Sequence, residues 1–323
     1  MLKKILIVLA LIVVAVVIGV PAYLYGAYPK VRPAAAMTAP RTPEAIERGR
    51  YVAEALTGCP ACHSPIDESR PGDFPQAGLE LAGRVFPEGA GFPGKIVAPN
   101  ITPDPDTGIG NWTDGEIVRA IREGVSRDGR PLFPLMNYPA YRDFSDDDVL
   151  SIVAYLRTRK PMRRDNGRTE LDFPVGMMIR TVPKPLDAPA PGLPAAGVER
   201  GRAMLKVMLC GECHTPRDNR GNPVAGKELA GGNEFKGPWG TVYSPNITAH
   251  PSAGIGAFSN DDLKRVFREG KNRAGRDLWV MPWSITKNLN DADLDALIAA
   301  LREVPASPNL VPAAQLTGRA GAH

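Results

Sequence analysis

The stretch Cys59-Pro60-Ala61-Cys62-His63 returns further along the chain as Cys210-Gly211-Glu212-Cys213-His214. Cys-x-x-Cys-His is the attachment signature of c-type haem: two thiols add to the vinyl groups of the porphyrin, and the adjacent imidazole binds its iron. All four cysteines and two of the four histidines fall into these two pentads, so no thiol is left over for other chemistry. Two alternatives compete. A four-cysteine zinc site would have to bridge the long stretch between Cys62 and Cys210 and would leave both histidines unexplained. A thioredoxin-like dithiol wants a βαβ context, which the sequence lacks. Two covalently bound haem c groups are the expectation.

Outward from the pentads, the chain repeats itself. Glu47-Arg48-Gly49-Arg50 precedes the first pentad and Glu199-Arg200-Gly201-Arg202 the second. After them Ala98-Pro99-Asn100-Ile101-Thr102 matches Ser244-Pro245-Asn246-Ile247-Thr248, Gly108-Ile109-Gly110 matches Gly254-Ile255-Gly256, and Arg122-Glu123-Gly124 matches Arg268-Glu269-Gly270. Capping signals mark helix starts at Thr113-x-x-Glu116 and Ser259-x-x-Asp262, then at Ser145-x-x-Asp148 and Asn290-x-x-Asp293. The last two open amphipathic helices with Val149, Ile152, Val153 and Leu156 on one, and Leu294, Leu297, Ile298 and Leu301 on the other. Thr42-Pro43 opens the helix that leads to the first pentad. The exported part therefore reads as all-α, one design used twice with long loops, over 42–160 and 198–304.

Residues 1–28 carry a short basic start, Lys3-Lys4, and then an uncharged run from Ile5 to Tyr28, long enough to cross a bilayer, which needs about 20 apolar residues. A cleaved signal peptide ending near Val20-Pro21-Ala22 competes with an uncleaved anchor, and the length of the run favours the anchor. Residues 29–41, rich in proline and alanine, read as an extended tether. Residues 161–197 form a linker with an apolar island, Phe173 to Ile179, that packs on a lobe, between the lobes, or against a partner. Residues 305–323 read as a mobile tail. With 33 glycines, 33 prolines, 43% apolar and 23% charged residues, the chain is globular with much irregular structure, and a net charge of +4 gives no basis for nucleic-acid binding.

The second axial ligand of each iron decides between carrier and catalyst. Met136 in Pro134-Leu135-Met136-Asn137-Tyr138 and Met281 in Val280-Met281-Pro282-Trp283 occupy matching places, each followed two residues later by an aromatic and each just before a closing helix. They are the candidate sulfur ligands, opposite His63 and His214. Met177, Met178, Met204 and Met208 are the fallback set, the last two better read as core. His250 reads as a solvated loop residue and His323 as part of the tail. Trp112 and Phe258 fill matching places, either as core or, for the Trp112 indole, as a donor to a haem propionate. The Asn-Ile-Thr loops either serve the same end or are turns.

The two pentads, Asn100-Ile101-Thr102-Pro103-Asp104 with Thr107-Gly108-Ile109-Gly110-Asn111-Trp112, the loop around Met136, and Cys213-His214-Thr215-Pro216 together resemble the membrane-bound cytochrome c subunits of bacterial periplasmic dehydrogenases, such as those acting on alcohols, gluconate and nicotinate. The resemblance runs from about Glu44 to Val304. It implies tandem cytochrome c domains, His/Met coordination, and a relay of electrons from a dehydrogenase towards quinone, an oxidase or a soluble cytochrome. It also implies an inner-membrane protein with its N-terminus in the cytoplasm and its haem domains in the periplasm, where such attachment takes place. Those subunits commonly carry three haems where this chain has two pentads, and Asn137 stands where proline is usual. A haem enzyme, peroxidase-like or thiosulfate-dehydrogenase-like, is the alternative; the first lacks spare histidines for acid-base work and the second a spare cysteine for iron.

Overall fold

The computed structural model describes residues 1–88, 91–219 and 221–317. Among the described residues twelve α-helices follow in order: α1 Leu2–Ala27, α2 Pro43–Tyr51, α3 Cys59–His63, α4 Asp114–Glu123, α5 Tyr138–Tyr141, α6 Asp146–Arg157, α7 Val175–Met178, α8 Gly197–Val207, α9 Cys210–His214, α10 Asn260–Glu269, α11 Trp283–Thr286 and α12 Asp291–Arg302. A π-helical turn, Val52–Leu56, continues α2 towards the first pentad. The series entry helix, pentad helix, capped helix, short helix and closing helix runs from α2 to α6 and again from α8 to α12.

The predicted caps are present. Thr42 Oγ1 accepts from Ala45 N at 3.2 Å, with Pro43 at the first helical position. Thr113 with Glu116 and Ser259 with Asp262 form reciprocal capping boxes at α4 and α10. Ser145 and Asn290 cap α6 and α12 through Asp148 N and Asp293 N. Each closing helix buries the predicted apolar face, Val149, Ile152, Val153 and Leu156 on α6 and Leu294, Leu297, Ile298 and Leu301 on α12.

Within each lobe the entry helix crosses the closing helix at a glycine. A Cβ on Gly49 would lie 1.7 Å from the Ser151 carbonyl oxygen, and one on Gly201 2.0 Å from that of Ala296, so the backbones of α2 and α6, and of α8 and α12, are in direct contact. The arginine before each glycine reaches the closing helix: Arg48 Nε donates to Asp148 at 2.9 Å, and Arg200 forks onto Asp293. The repeated Glu-Arg-Gly-Arg segment is thus a crossing point with its own ion pair. The buried residues of both lobes join in one apolar cluster.

Among the described residues three small antiparallel sheets stand beside the helices of the expected all-α fold. β1 (Arg84–Val85) pairs with β3 (Val97–Ala98), β2 (Gly94–Lys95) with β4 (Glu170–Leu171), and β5 (Glu234–Gly237), β6 (Gly240–Tyr243) and β7 (Gln315–Leu316) form one sheet in that order. None exceeds four residues, too short for an alternating pattern to show in sequence.

The connecting segments are pinned where the sequence reads as loose. The tether lies along α4: Arg119 donates to the Arg32 carbonyl at 3.0 Å, Ala39 N to Asp114 at 2.9 Å, and a Cβ on Gly115 would fall 1.9 Å from the Ala35 carbonyl oxygen. The tail is held as far as residue 317, by β7 and by Asn246, whose side-chain amide donates to the Ser307 and Asn309 carbonyls at 2.8 and 3.1 Å. The linker begins in the same way, with Asn100 donating to the Met162 carbonyl at 2.6 Å. His323 lies outside the described residues.

α1 is the one helix among the described residues long and apolar enough to cross a membrane, and none of its residues is buried by the rest of the chain. Among its neighbours is α7, the helix of the apolar island.

Candidate functional site

Each pentad forms a single helical turn entered through a residue in the left-handed region, Gly58 (φ 62°) before Cys59 and Leu209 (φ 59°) before Cys210. The turn brings the histidine back under the loop that follows. His63 Nδ1 lies 2.7 Å from the Pro99 carbonyl, and His214 Nδ1 lies 2.8 Å from that of Pro245. A carbonyl only accepts, so Nδ1 carries the proton in both rings, and Nε2 is left with its lone pair free for a metal. Burial pushes both imidazoles below their ordinary pKa, against a smaller upward pull from the carbonyl bond. Both are therefore neutral at pH 7, the form that binds iron.

The proline carbonyls are held by the loops the sequence leaves open between haem donors and turns. Asn100 Oδ1 accepts from Thr102 N and Oγ1 at 2.9 and 2.7 Å, and Asn246 Oδ1 accepts from Thr248 N and Oγ1 at 3.0 and 2.7 Å. Both loops are turns, and their asparagine amides face the linker and the tail. A second support is Glu80-Leu81-Ala82-Gly83, matched by Glu228-Leu229-Ala230-Gly231, which the sequence reading misses although the same alignment by eye contains it. Gly83 N donates to the His63 carbonyl at 2.7 Å and Gly231 N to that of His214 at 2.6 Å. Leu81 N and Leu229 N donate to the hydroxyls of Ser64 and Thr215, the residues that follow each histidine.

All four cysteines are free thiols. Burial pushes Cys62 up to about 11 and Cys210 to about 12, and raises Cys59 and Cys213 as well. Such thiols stay protonated, unlike the low-pKa thiolate of a reactive dithiol. Among the described residues no three His, Cys, Asp or Glu side chains converge as a metal-binding group.

Met136 ends a 3₁₀ turn, Pro134–Met136, and Met281 directly precedes Pro282 and α11. Both are half-buried and pack against the same apolar cluster as Cys59 and Cys210. Each methionine loop is hooked to the cap of the preceding helix: Leu132 N donates to the Gly124 carbonyl at 2.7 Å, and Leu278 N to that of Gly270 at 2.8 Å. The aromatic two residues after each methionine lies over that glycine, since a Cβ on Gly124 would meet the Tyr138 ring at 2.5 Å and one on Gly270 the Trp283 indole at 2.2 Å. The Tyr138 hydroxyl and Trp283 Nε1 are buried without a hydrogen-bond partner.

Those two orphaned donors at matching positions fit a bound group that carries acceptors, as the haem propionates are, and the unpaired thiols and free Nε2 atoms fit the rest of it. Trp112 packs on the cluster, and its backbone N–H donates to the Ile109 carbonyl at 3.1 Å. Met204 is fully buried in α8 and Met208 packs on the cluster, whereas Met177 and Met178 lie on α7 beside α1. His250 caps a turn, accepting from Ala253 N at 3.0 Å, as Asp104 accepts from Thr107 N at 2.7 Å in the other lobe.

The lobes meet through these sites. The Asn137 amide, next to Met136, donates to the Lys206 and Val207 carbonyls at 2.9 and 3.2 Å, just before the second pentad. In return, Ser284 Oγ, close to Met281, donates to the Asp73 carbonyl at 3.0 Å, and a Cβ on Gly58 would meet Ile285 at 2.4 Å, just before the first pentad. Each methionine loop therefore leans on the other lobe.

A pair of attachment turns, each with its histidine oriented by a backbone carbonyl, defines a c-type cytochrome. No protein-family model matches the chain. It is 35% identical over 273 residues to the fructose dehydrogenase cytochrome subunit of Gluconobacter japonicus, covering 81% of this chain and 53% of that one. It is 32% identical to the cytochrome c subunit of the quinone alcohol dehydrogenase of Gluconobacter oxydans, covering 81% and 55%. It is also 32% identical to a dihaem c-type cytochrome of Cereibacter sphaeroides, covering 77% and 82%. The chain belongs to this family of c-type cytochromes, which takes in dehydrogenase cytochrome subunits, and it spans about half the length of the two dehydrogenase subunits.

Proposed function

We propose that the chain is a membrane-anchored dihaem cytochrome that relays electrons from a periplasmic dehydrogenase to quinone, an oxidase or a soluble cytochrome, with one haem in each of two tandem cytochrome c domains, 42–160 and 198–304. Cys59 and Cys62, and Cys210 and Cys213, would hold the two groups through thioethers. His63 and His214 would each give a nitrogen to iron, and Met136 and Met281 a sulfur. Haem supplies an iron that takes up and releases a single electron. The protein keeps each imidazole neutral and aimed, and offers the Tyr138 hydroxyl and Trp283 indole as buried donors. With a nitrogen from each histidine and a sulfur from each methionine, the haems would carry electrons and would not bind substrate. α1 would cross the inner membrane with its N-terminus in the cytoplasm and both lobes in the periplasm.

The observation that carries this reading is the duplicated histidine geometry, Nδ1 on a proline carbonyl at 2.7 Å in one lobe and 2.8 Å in the other. Its companion is the matched placement of Met136 and Met281, each in a loop hooked to a helix-cap glycine through Leu132 or Leu278. The test is absorption spectroscopy of the oxidised holoprotein. Met136→Ala and Met281→Ala are each expected to abolish half of the methionine–iron charge-transfer band and to let the reduced protein bind carbon monoxide at one haem. An unchanged band in both variants would show that the sulfur ligands lie elsewhere.

A further inference from the structure

The island 173–179 packs against the far end of α1. Arg180, which follows it, donates to the Leu24 carbonyl at 3.3 Å, to that of Tyr25 at 3.1 Å and to that of Tyr28, so it ties the segment to the end of α1. Its guanidinium also lies 4.7 Å from the centre of the Tyr25 ring. Beside this clasp the segment exposes Phe173 (83%), Met178 (57%) and Val182 (37%). Among the described residues after α1, the other large apolar side chains so exposed are Val31, Val85 and Leu310, whereas these three lie in or next to the elements that touch α1.

Length fixes the level of that end. α1 has 26 residues, and at about 1.5 Å per residue it is longer than the ~30 Å hydrocarbon layer. Its last turns, with Tyr23 and Tyr25, then stand among the lipid headgroups, where tyrosine rings are at home. Lys30 lies 5.8 Å from the Tyr28 ring and adds a cation at the same level. The exposed apolar residues of 173–182 thus lie in or next to elements that touch the end of the uncovered anchor.

We propose that segment 172–182 is a second membrane contact, a foot that rests Phe173, Met178 and Val182 in the headgroup region of the bilayer beside α1. It rests on the reading of α1 as an anchor. Arg180 couples foot to helix, and the tether docked along α4 couples helix to the first lobe, so the foot fixes how that lobe stands on the membrane.

The full-length holoprotein, carrying p-benzoylphenylalanine at one position and reconstituted in phosphatidylglycerol–phosphatidylethanolamine vesicles, tests this by photocrosslinking. Position 16, in the middle of α1, reports the anchor; position 310, exposed at 84% in the second half of the chain, is the control. Lipid adducts at 16, at 173 and at 178, with none at 310, are expected. Adducts at 16 without any at 173 or 178 leave the anchor standing and overturn the foot; none at 16 overturns the anchor as well. In native membranes, an adduct to another polypeptide at 173 in place of lipid assigns this face to a protein partner and also overturns the foot. Haem content of each variant reports that it has folded.

Discussion

Asn137 is held at φ 44°, a value proline cannot adopt, at the place where the second lobe has Pro282. Its side-chain amide is the reason: from that backbone geometry it reaches the carbonyls of Lys206 and Val207 at the end of α8. Asn137→Gly keeps the backbone and removes both bonds, and it is expected to lower stability by about 1–2 kcal/mol. Denaturant melts of the holoprotein measure this, and coincident melts would show that the amide contributes nothing across the lobes. At this scale the pentads are legible because the chemistry fixes their spacing, and Met136 and Met281 stand out because they recur in register. The proline carbonyls are not legible, since a backbone acceptor leaves no residue signature. Leu81 and Leu229 are hidden differently: leucine in the left-handed region contradicts its ordinary preference, and only their shared Glu-Leu-Ala-Gly setting could reveal them.

Among the elements, the capped helices are the readable part. Thr113 with Glu116 and Ser259 with Asp262 are local signals between residues three apart, and tertiary packing has no reason to overrule them. The tether and tail escape because what pins them is distant: Asp114 for Ala39, Asn246 for Ser307. The seam between α8 and α12 carries a pH signature. Burial alone would raise the pKa of Asp293, but the bonds from Arg200 and from the Tyr51 hydroxyl, the latter at 2.6 Å, more than offset it and leave it lowered. The folded protein then binds the proton less readily than the unfolded chain does. The contribution is complete above the unfolded value of about 3.9 and is lost as pH falls below it through the lowered folded value. Asp293→Asn is therefore expected to lower stability at neutral pH and to flatten the decline in acid, as read from melts across that range. Parallel acid limbs for variant and wild type would mean that Asp293 is not the linked group.

At the scale of the molecule, the two lobes are joined at their working parts. Asn137 meets the approach to the second pentad, Ser284 and Ile285 meet the approach to the first, and the Tyr51 hydroxyl of the first lobe bonds Asp293 of the second. Such packing sets the two attachment turns in a fixed relation, as a path for electrons between two centres requires. The duplicated architecture is readable from the repeat, but the crossing of the lobes is not, because it depends on which loops face each other once both are folded. What remains is the covalent step itself. The intact mass of the exported, denatured and acid-extracted polypeptide is predicted to exceed that of the bare chain by two haem groups. A mass showing one haem, or none, would contradict a cytochrome built on both pentads.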